Sequence, residues 1–270
     1  MTGNIYLDLT NEFNEGQLRA ILSSGQAIVV HRLALASKDG DWIVRETGDS
    51  LHHILRVLES HEARYRFGAP LDVRWLRGEW SAHFEFNREG ARVRCDFVSR
   101  PPRLLPEDLA EMWLEHEEGR ALEKPVPTLD LRRLAELKKT DRERDYPFIG
   151  EIARRVSSLQ EQILLSRSAR DLIALWPQLS AHEQGFSLRE RPLLQNIERG
   201  RRPLEEALDA ERRALAETNE NRLAVFERAA NLWRQEWPRM NREIANTSLS
   251  QAHALIVERA TSLLPEQPNG

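Results

Sequence analysis

Residues 38–44 have the sequence Lys-Asp-Gly-Asp-Trp-Ile-Val, in which a polar turn leads directly into an apolar run. An apolar run after turn residues is typical of a buried strand, and alternate residues of an extended segment point to the same side. The carboxylates of Asp39 and Asp41 would therefore converge where the strand begins. Converging carboxylates repel each other, and a divalent cation such as Mg²⁺ relieves the repulsion. The alternative is an ordinary turn, because Asp and Gly are favoured there.

A third acid, Asp96, lies in a later segment of alternating polar and apolar residues, which is the pattern of a strand with two unlike faces. An acid in the middle of a sheet strand is costly unless it is paired or bound to a metal. With Asp39 and Asp41 it forms a candidate carboxylate cluster for one or two metal ions. The alternative is an ion pair of Asp96 with Arg92 or Arg94.

The remaining pattern predicts a mixed first part and a helical second part. Strands are expected over residues 27–30, 71–75, 82–86 and 92–98, and a helix over residues 51–58. From Pro106 onward the spacing is helical, and helices are expected over residues 129–139, 147–156, 159–176, 203–237 and 249–264. We predict an α+β protein: a small mixed β-sheet with flanking helices over residues 1–156, followed by an all-α domain over residues 157–270.

The composition argues against several classes of protein, among them nucleic-acid coats, disulfide-rich proteins and membrane-spanning proteins. Asp and Glu total 43 against 39 Lys and Arg, and the net charge of −4 argues against a general nucleic-acid coat. The single cysteine, Cys95, excludes a disulfide framework and a multi-cysteine zinc site, and we expect it to be a core residue. The first ten residues lack a signal-peptide pattern, and no stretch reaches the roughly 20 apolar residues that span a bilayer. We expect a soluble, cytoplasmic protein with no membrane partner.

A basic element occupies residues 137–145, with the sequence Leu-Lys-Lys-Thr-Asp-Arg-Glu-Arg-Asp. Its lysines end one predicted helix and its arginines precede the next, so these side chains are candidates to contact nucleotide phosphates. The alternative is a charged surface turn, in which lysines are favourable at a helix C-terminus.

The order of these segments over about residues 15–155 resembles the nucleotidyltransferase-fold family, in the minimal prokaryotic form that includes antitoxin-like and abortive-infection-like members. In that family a D-x-D pair on one strand and a third Asp on a later strand hold Mg²⁺, which positions a nucleoside triphosphate. The resemblance implies that Asp39, Asp41 and Asp96 are the catalytic residues and the metal ligands. It also implies transfer of an AMP-type nucleotidyl group to a protein, RNA or small-molecule acceptor.

The resemblance further implies nucleotide-binding residues. Lys138, Arg142 and Asp145 match a later K…R…D element of the family, which helps to bind nucleotide or orders the helical turn. The family usually has a Gly-Gly or Gly-Ser pair that lets backbone N–H groups approach the triphosphate. This chain has His31-Arg32 at the corresponding point, and Arg32 is expected to supply positive charge there instead.

Some residues near the predicted strand of Asp96 lie outside the family pattern. They are expected either to line an acceptor site, with Trp80 as a stacking platform, or to pack the edge of the sheet. These residues are Trp80, His83, Glu85, Arg100 and Arg103.

Two other functions fit the same residues. A catalytically inactive binding module on this fold, antitoxin-like or a regulatory partner, is favoured by the missing glycine pair. A mainly structural helical protein would carry the same carboxylates as turn residues. The helical half is expected to cover the core, to bind a substrate or to form a homo-oligomer.

Overall fold

The computed structural model describes residues 4–118, 125–140 and 145–268. Its contacts divide the chain into two compact units. The first unit contains the chain up to Asp130 together with the segment from Ala224 onward, and the second contains Leu131–Leu223. The protein combines a mixed β-sheet with many helices, and its C-terminal region is helical.

The first unit is built on a seven-stranded sheet. Its strands are β1 (Ala20–Ser23), β2 (Gly40–Val44), β3 (Arg64–Tyr65), β4 (Ala82–Arg88), β5 (Ala91–Val98), β6 (Glu117–Glu118) and β7 (Pro127–Thr128). They lie in the order β3-β4-β5-β2-β1-β7-β6. The central strand β2 is antiparallel to β1 and parallel to β5. This mixed pairing brings two strands that are far apart in sequence side by side.

A tight hairpin joins β4 to β5. Its two linking residues, Glu89 and Gly90, have φ angles of 52° and 80°. Two consecutive positive φ angles are typical of a turn whose twist matches that of the flanking strands. The hairpin fixes the antiparallel register in which His83 faces Asp96 and Glu85 faces Arg94.

Side chains alternate between the two faces of the sheet along β2, β4 and β5. One face, here called the apolar face, consists of Trp42, Val44, Ala82, Phe84, Phe86, Val93, Cys95 and Phe97, all buried. Trp42 stacks on Phe97 with 5.4 Å between ring centroids. The burial of Cys95 agrees with its predicted core position.

Helices of the first unit pack on the apolar face. The helices of this unit are α1 (Ile5–Phe13), α2 (Ser24–Val30), α3 (Gly48–Ser60), α4 (Val73–Arg77), α5 (Pro106–Leu114), α12 (Asn231–Glu243) and α13 (Leu249–Leu263). Residues of α1, α3, α12 and α13 share one hydrophobic cluster with the apolar face, among them Phe13, Ile54, Trp233 and Ile256. Part of the opposite face of the sheet remains accessible and carries polar side chains.

The second unit is helical over its described residues. It contains α6 (Leu131–Leu137), α7 (Tyr146–Ala153), α8 (Leu159–Leu165), α9 (Ala169–Leu175), α10 (Ala181–Glu190) and most of α11 (Arg201–Ala229), with 3₁₀ turns over Trp176–Gln178 and Pro192–Arg199. A hydrophobic cluster that includes Ile163, Leu172, Leu194 and Leu204 forms its core. Arg191 is buried and bonds Glu211 with both Nε and Nη2, at 3.0 and 2.8 Å.

Several predicted elements are confirmed and others are wrong. The strands at 42–44, 82–86 and 92–98 and the helix at 51–58 are present. Residues 27–30 are helical and belong to α2, because a short apolar run fits a buried helix as well as a strand. Residues 71–75 contain no strand, since Asp72 caps α4 by accepting from the N–H of Arg74.

Two long predicted helices are divided. The helix predicted over 159–176 is interrupted at residues 166–168, where Ser168 caps the start of α9 by accepting from the N–H of Asp171. The helix predicted over 203–237 ends at residue 229, and α12 continues through Pro238 rather than stopping before it. Helical spacing alone therefore does not locate these breaks.

The boundary between the units differs from the one expected at residue 156, which lies inside the second unit. The segment from Ala224 onward joins the first unit because Trp233, Met240 and Ile256 are buried in its core. An amphipathic helix can cover any complementary apolar surface, whatever its position in the sequence. Among the described residues, no helix is both long and apolar enough to cross a membrane.

Candidate functional site

Asp41 and Asp96 lie directly opposite each other on the parallel strands β2 and β5. Their neighbours in sequence, Trp42 and Phe97, are also paired and point into the apolar face. Because side chains alternate along a strand, both carboxylates project from the other face. Two of the three predicted carboxylates are thus brought together by the strand pairing.

The side of the sheet that carries these acids is charged near the β2–β5 pair. We call its partly exposed residues the polar face: Asp41, His83, Glu85, Arg94 and Asp96. Strand pairing accounts for the grouping, since His83 faces Asp96, and Glu85 faces Arg94. The neighbouring Ile43 of β2 is fully buried, so the polar face ends there.

Asp39 precedes β2 and meets the polar face through Arg94. Its Oδ1 atom lies 3.6 Å from Nη1 of Arg94, an ion-pair distance that is too long for a hydrogen bond. This oxygen is buried and has no hydrogen-bond partner among the described residues, although the side chain as a whole is 39% exposed. A buried carboxylate oxygen without a hydrogen bond is unfavourable, and Arg94 compensates its charge only at an ion-pair distance.

Asp96 already has two cationic or polar partners. His83 Nδ1 lies 2.7 Å from Oδ1 of Asp96, and Nη1 of Arg66 donates to the same oxygen at 3.3 Å. Arg66 also reaches Glu85 at 3.6 Å. In place of the alternative ion pair with Arg92 or Arg94, Asp96 pairs with Arg66, which follows β3.

The three acids supply the oxygen ligands that Mg²⁺ prefers, and Asp39 adds the unbonded oxygen. The residue types therefore fit such an ion. Among the described residues, however, no group of three or more His, Cys, Asp or Glu side chains is arranged to hold a metal. Arginine side chains take up part of the negative charge instead, and a metal ion would have to displace Arg94 from Asp39.

The turn between β1 and α2 borders the same site. Ser23, the last residue of β1, faces Asp41 across the strand pair and donates its hydroxyl to the Asp41 carbonyl at 3.1 Å. Ser24 has a φ angle of 49°. A side chain at Gly25 would lie 2.2 Å from the hydroxyl of Ser37, so glycine permits the loop before Asp39 to pack closely here.

Arg32 lies at the other end of α2. The helix begins at Ser24 and ends at Val30, and Arg32 follows it with an exposed side chain and a φ angle of 57°. The family resemblance matches the glycine pair to His31-Arg32 because residues 27–30 are predicted to be a strand. Since β1 ends at Ser23, the turn that follows the strand is Ser24-Gly25.

Lys138 and Asp145 belong to the second unit, where they face each other. Lys138 Nζ lies 3.5 Å from Oδ1 of Asp145, and both side chains are at least nine-tenths buried. Thr140 donates its hydroxyl to the other carboxylate oxygen at 3.2 Å. These contacts link the end of α6 to Asp145, the residue before α7, and Arg142 lies outside the described residues.

The residues expected near an acceptor site separate into two groups. His83 and Glu85 belong to the polar face. Trp80 is a packing residue, since it is only 7% exposed, donates its indole N–H to the Pro265 carbonyl at 3.0 Å and contacts Phe226 edge-on. Arg100 bonds Glu46 with Nε at 2.6 Å and Nη2 at 2.9 Å.

Comparisons with protein-family models, with curated proteins and with solved structures find no match for this chain. Its function is therefore inferred from the geometry of its own residues. Sequence reasoning overlooked three features near the acids: the Ser24-Gly25 turn, Arg66, and Ser81, which bonds His83 at 2.8 Å. The Ser-Gly dipeptide could have indicated a turn from the sequence alone. The contacts of Arg66 and Ser81 depend on the strand register, which the sequence does not show.

Proposed function

We propose that this protein is a nucleotidyltransferase-like enzyme that binds a nucleoside triphosphate at the polar face of the sheet. It transfers an AMP-type nucleotidyl group to a hydroxyl of a protein, RNA or small molecule. The observation that carries the proposal is the register of β2 and β5, in which Asp41 faces Asp96. The family resemblance implies a D-x-D pair and a third Asp on a neighbouring strand. Here Asp39 directly precedes β2, Asp41 lies on β2 and Asp96 lies on β5.

The strand-to-helix turn after β1 supports the same function. Ser24-Gly25 follows the strand that pairs with β2, and Ser23 faces Asp41. We take this turn, rather than His31-Arg32, as the counterpart of the glycine pair that the family resemblance implies. Asp39, Asp41 and Asp96 would hold Mg²⁺ once Arg94 is displaced from Asp39, and the ion would supply charge neutralisation for the triphosphate.

A second candidate function is supported by the ion pairs on the polar face. Arg94 lies against Asp39 and Arg66 against Asp96, so two guanidinium groups already balance two of the acids. In a regulatory or antitoxin-like binding module the carboxylates would not bind a metal ion. The ion pairs with Arg94 and Arg66 would be sufficient to balance their charge. Such a module would form a stoichiometric complex with a partner and would not need Mg²⁺.

A transfer assay with α-labelled nucleoside triphosphates separates the two functions. The wild-type chain is expected to transfer label only with Mg²⁺, and Asp41→Asn is expected to abolish transfer while the melting temperature stays close to wild type. Asp8→Asn is the matched control, since Asp8 is a half-exposed acid of α1 that contacts Arg88 at 3.7 Å. Equal transfer by Asp41→Asn would contradict the proposal. Wild-type protein that transfers nothing and binds a partner without metal would favour the second candidate.

A further inference from the structure

A chain of hydrogen bonds runs from Ser81, just before β4, through His83 on β4 to Asp96 on β5. The Ser81 hydroxyl lies 2.8 Å from Nε2 of His83, and Nδ1 of the same ring lies 2.7 Å from Oδ1 of Asp96. Each ring nitrogen therefore has one partner, and the imidazole bridges a hydroxyl and a carboxylate. Both the imidazole and the carboxylate remain about a quarter exposed.

The backbone around this chain fixes its geometry. Ser81 and His83 are two residues apart at the start of β4, so their side chains point to the same side. The segment after β3 continues the pairing, since Arg66 donates its N–H to the His83 carbonyl at 2.8 Å and Ala69 donates to the Ser81 carbonyl at 2.9 Å.

Gly68 lies against the imidazole ring. A side chain at this position would come within 2.5 Å of Cδ2 of His83. The Gly68 carbonyl is itself held by the indole N–H of Trp233 at 2.9 Å. The ring of His83 is thus confined by a close backbone contact that is anchored to the hydrophobic core, and its orientation does not depend on solvent-exposed contacts alone.

A hydroxyl bonded to an imidazole that is oriented by a carboxylate is the arrangement of an activated nucleophile. The imidazole accepts the hydroxyl proton, and the carboxylate holds the ring in the tautomer with a free Nε2 lone pair. The arrangement is recognised by geometry and roles, whatever the order of the residues in the sequence. Here its carboxylate is Asp96, which also belongs to the polar face.

We propose that Ser81 is an activated nucleophile and that it accepts the nucleotidyl group of a nucleoside triphosphate bound at the polar face. This acceptor role rests on the proposed function. Oγ of Ser81 forms a bond to the α-phosphorus as the bond from that phosphorus to the bridging oxygen breaks. Pyrophosphate leaves with the electron pair, and the hydroxyl proton passes to Nε2 of His83. The product is a phosphodiester-linked nucleotide on Ser81.

A first measurement tests the nucleophile without nucleotide or metal. A fluorophosphonate probe forms a stable adduct with an activated serine and releases fluoride. We expect labelling of the wild-type chain, loss of the label in Ser81→Ala and strong reduction in His83→Gln. Ser60→Ala is a matched control, since Ser60 ends α3 and donates its hydroxyl to the Val57 carbonyl. His53→Gln is the matched control for His83→Gln, since the His53 ring bonds the Glu12 carbonyl at 2.9 Å, away from Ser81. Labelling that persists in Ser81→Ala, or no labelling of wild type, overturns the proposal.

A second measurement tests the acceptor role. The full chain is incubated with nucleoside triphosphate and Mg²⁺, and the intact mass and the modified peptide are determined. A gain of one nucleotidyl group on Ser81, absent in Ser81→Ala and present in Ser60→Ala, supports the proposal. Nucleotidyl transfer to another residue or to an added acceptor, with Ser81 unmodified, overturns the acceptor role but leaves the proposed function intact. Probe labelling of Ser81 without nucleotidyl transfer to any acceptor overturns both the acceptor role of Ser81 and the proposed function.

Discussion

The two faces of the sheet in the first unit differ in what their side chains contact, although they are formed by the same strands. Trp42 and Phe97 are fully buried, and they stack on each other beneath the helices. Asp41 and Asp96, one residue earlier on each strand, are partly exposed and carry charge. A shift of one residue in the register of a strand would turn its acid toward the core and its aromatic residue toward the polar face.

The difference explains why the acids can stand side by side in the middle of a sheet. Burial of the aromatic residues fixes the register, and the fixed register brings Asp41 opposite Asp96. We therefore expect the apolar face to supply most of the stability that holds these acids side by side, with Arg66 and Arg94 balancing part of the negative charge on the polar face. This division of roles can be tested one face at a time.

The largest effect is expected from Trp42→Ala on the apolar face. Removing a fully buried tryptophan leaves a cavity and also deprives Thr10 of the indole N–H that it accepts at 2.9 Å. The free energy of unfolding should fall by about 3–5 kcal/mol. Urea denaturation followed by intrinsic fluorescence and circular dichroism measures it. A loss below about 1 kcal/mol would show that this face does not set the register.

Acidification is expected to lower the free energy of unfolding by a smaller amount, because His253 on α13 is partly buried. Burial lowers the pKa of His253, Asp72 opposes this and His52 adds to it. The Tyr65 hydroxyl accepts the Leu71 N–H at 3.1 Å and lies 2.7 Å from Nδ1 of His253, and the burial of this ring favours its neutral form. The unfolded chain therefore binds a proton that the folded chain rejects, and stability falls as the pH drops below the ordinary value of 6.5.

Urea unfolding at about pH 7.5 and about pH 5.5 checks this linkage. His253→Gln should weaken the dependence of the unfolding free energy on pH over that interval, whereas His53→Gln should leave it as in wild type. The same dependence in wild type and His253→Gln would contradict the assignment.

Asp41→Asn tests the polar face next to Trp42. The substitution keeps the size of the side chain and removes one of two facing negative charges. The free energy of unfolding should change by less than about 1 kcal/mol in either direction, because partly exposed charges contribute little. Denaturation under the conditions used for Trp42→Ala provides the comparison. A loss as large as that of Trp42→Ala would mean that the polar face also holds the fold.

The smallest effect is expected from Arg94→Ala. Without the guanidinium group 3.6 Å from Asp39, the carboxylate is free to take another cation. Mg²⁺ affinity should rise about two- to fivefold, in keeping with the modest energy of an exposed ion pair. Calorimetric titration with Mg²⁺ measures it, with Arg88→Ala as the control. Unchanged affinity would show that Arg94 does not compete for this carboxylate.

Local sequence patterns predicted the parts of the site that lie on strands. The alternation over residues 92–98 and the Asp-Gly-Asp before residues 42–44 placed Asp41 and Asp96 on strands. The prediction of a strand at residues 27–30 was wrong because a short apolar run has no period of its own. That error moved the expected strand-to-helix turn from Ser24-Gly25 to His31-Arg32.

Contacts between distant segments could not be predicted from the sequence. The bond between His83 and Asp96 requires the register of the β4–β5 hairpin, and Arg66 reaches Asp96 from outside both strands. The return of the last helices to the first unit depends on the shape of its apolar surface. Each of these features is set by tertiary packing, which a local period does not encode.

The most direct test of the central claim, that the polar face binds a nucleoside triphosphate through Asp41 and a metal ion, is thermal unfolding with triphosphate in the presence and absence of Mg²⁺. Nucleotide at 100 times its Kd should stabilise the wild-type chain by about 2.7 kcal/mol only when Mg²⁺ is present. Asp41→Asn should lose this stabilisation. Equal stabilisation of wild type and Asp41→Asn, or none in wild type at any triphosphate concentration, would contradict the claim.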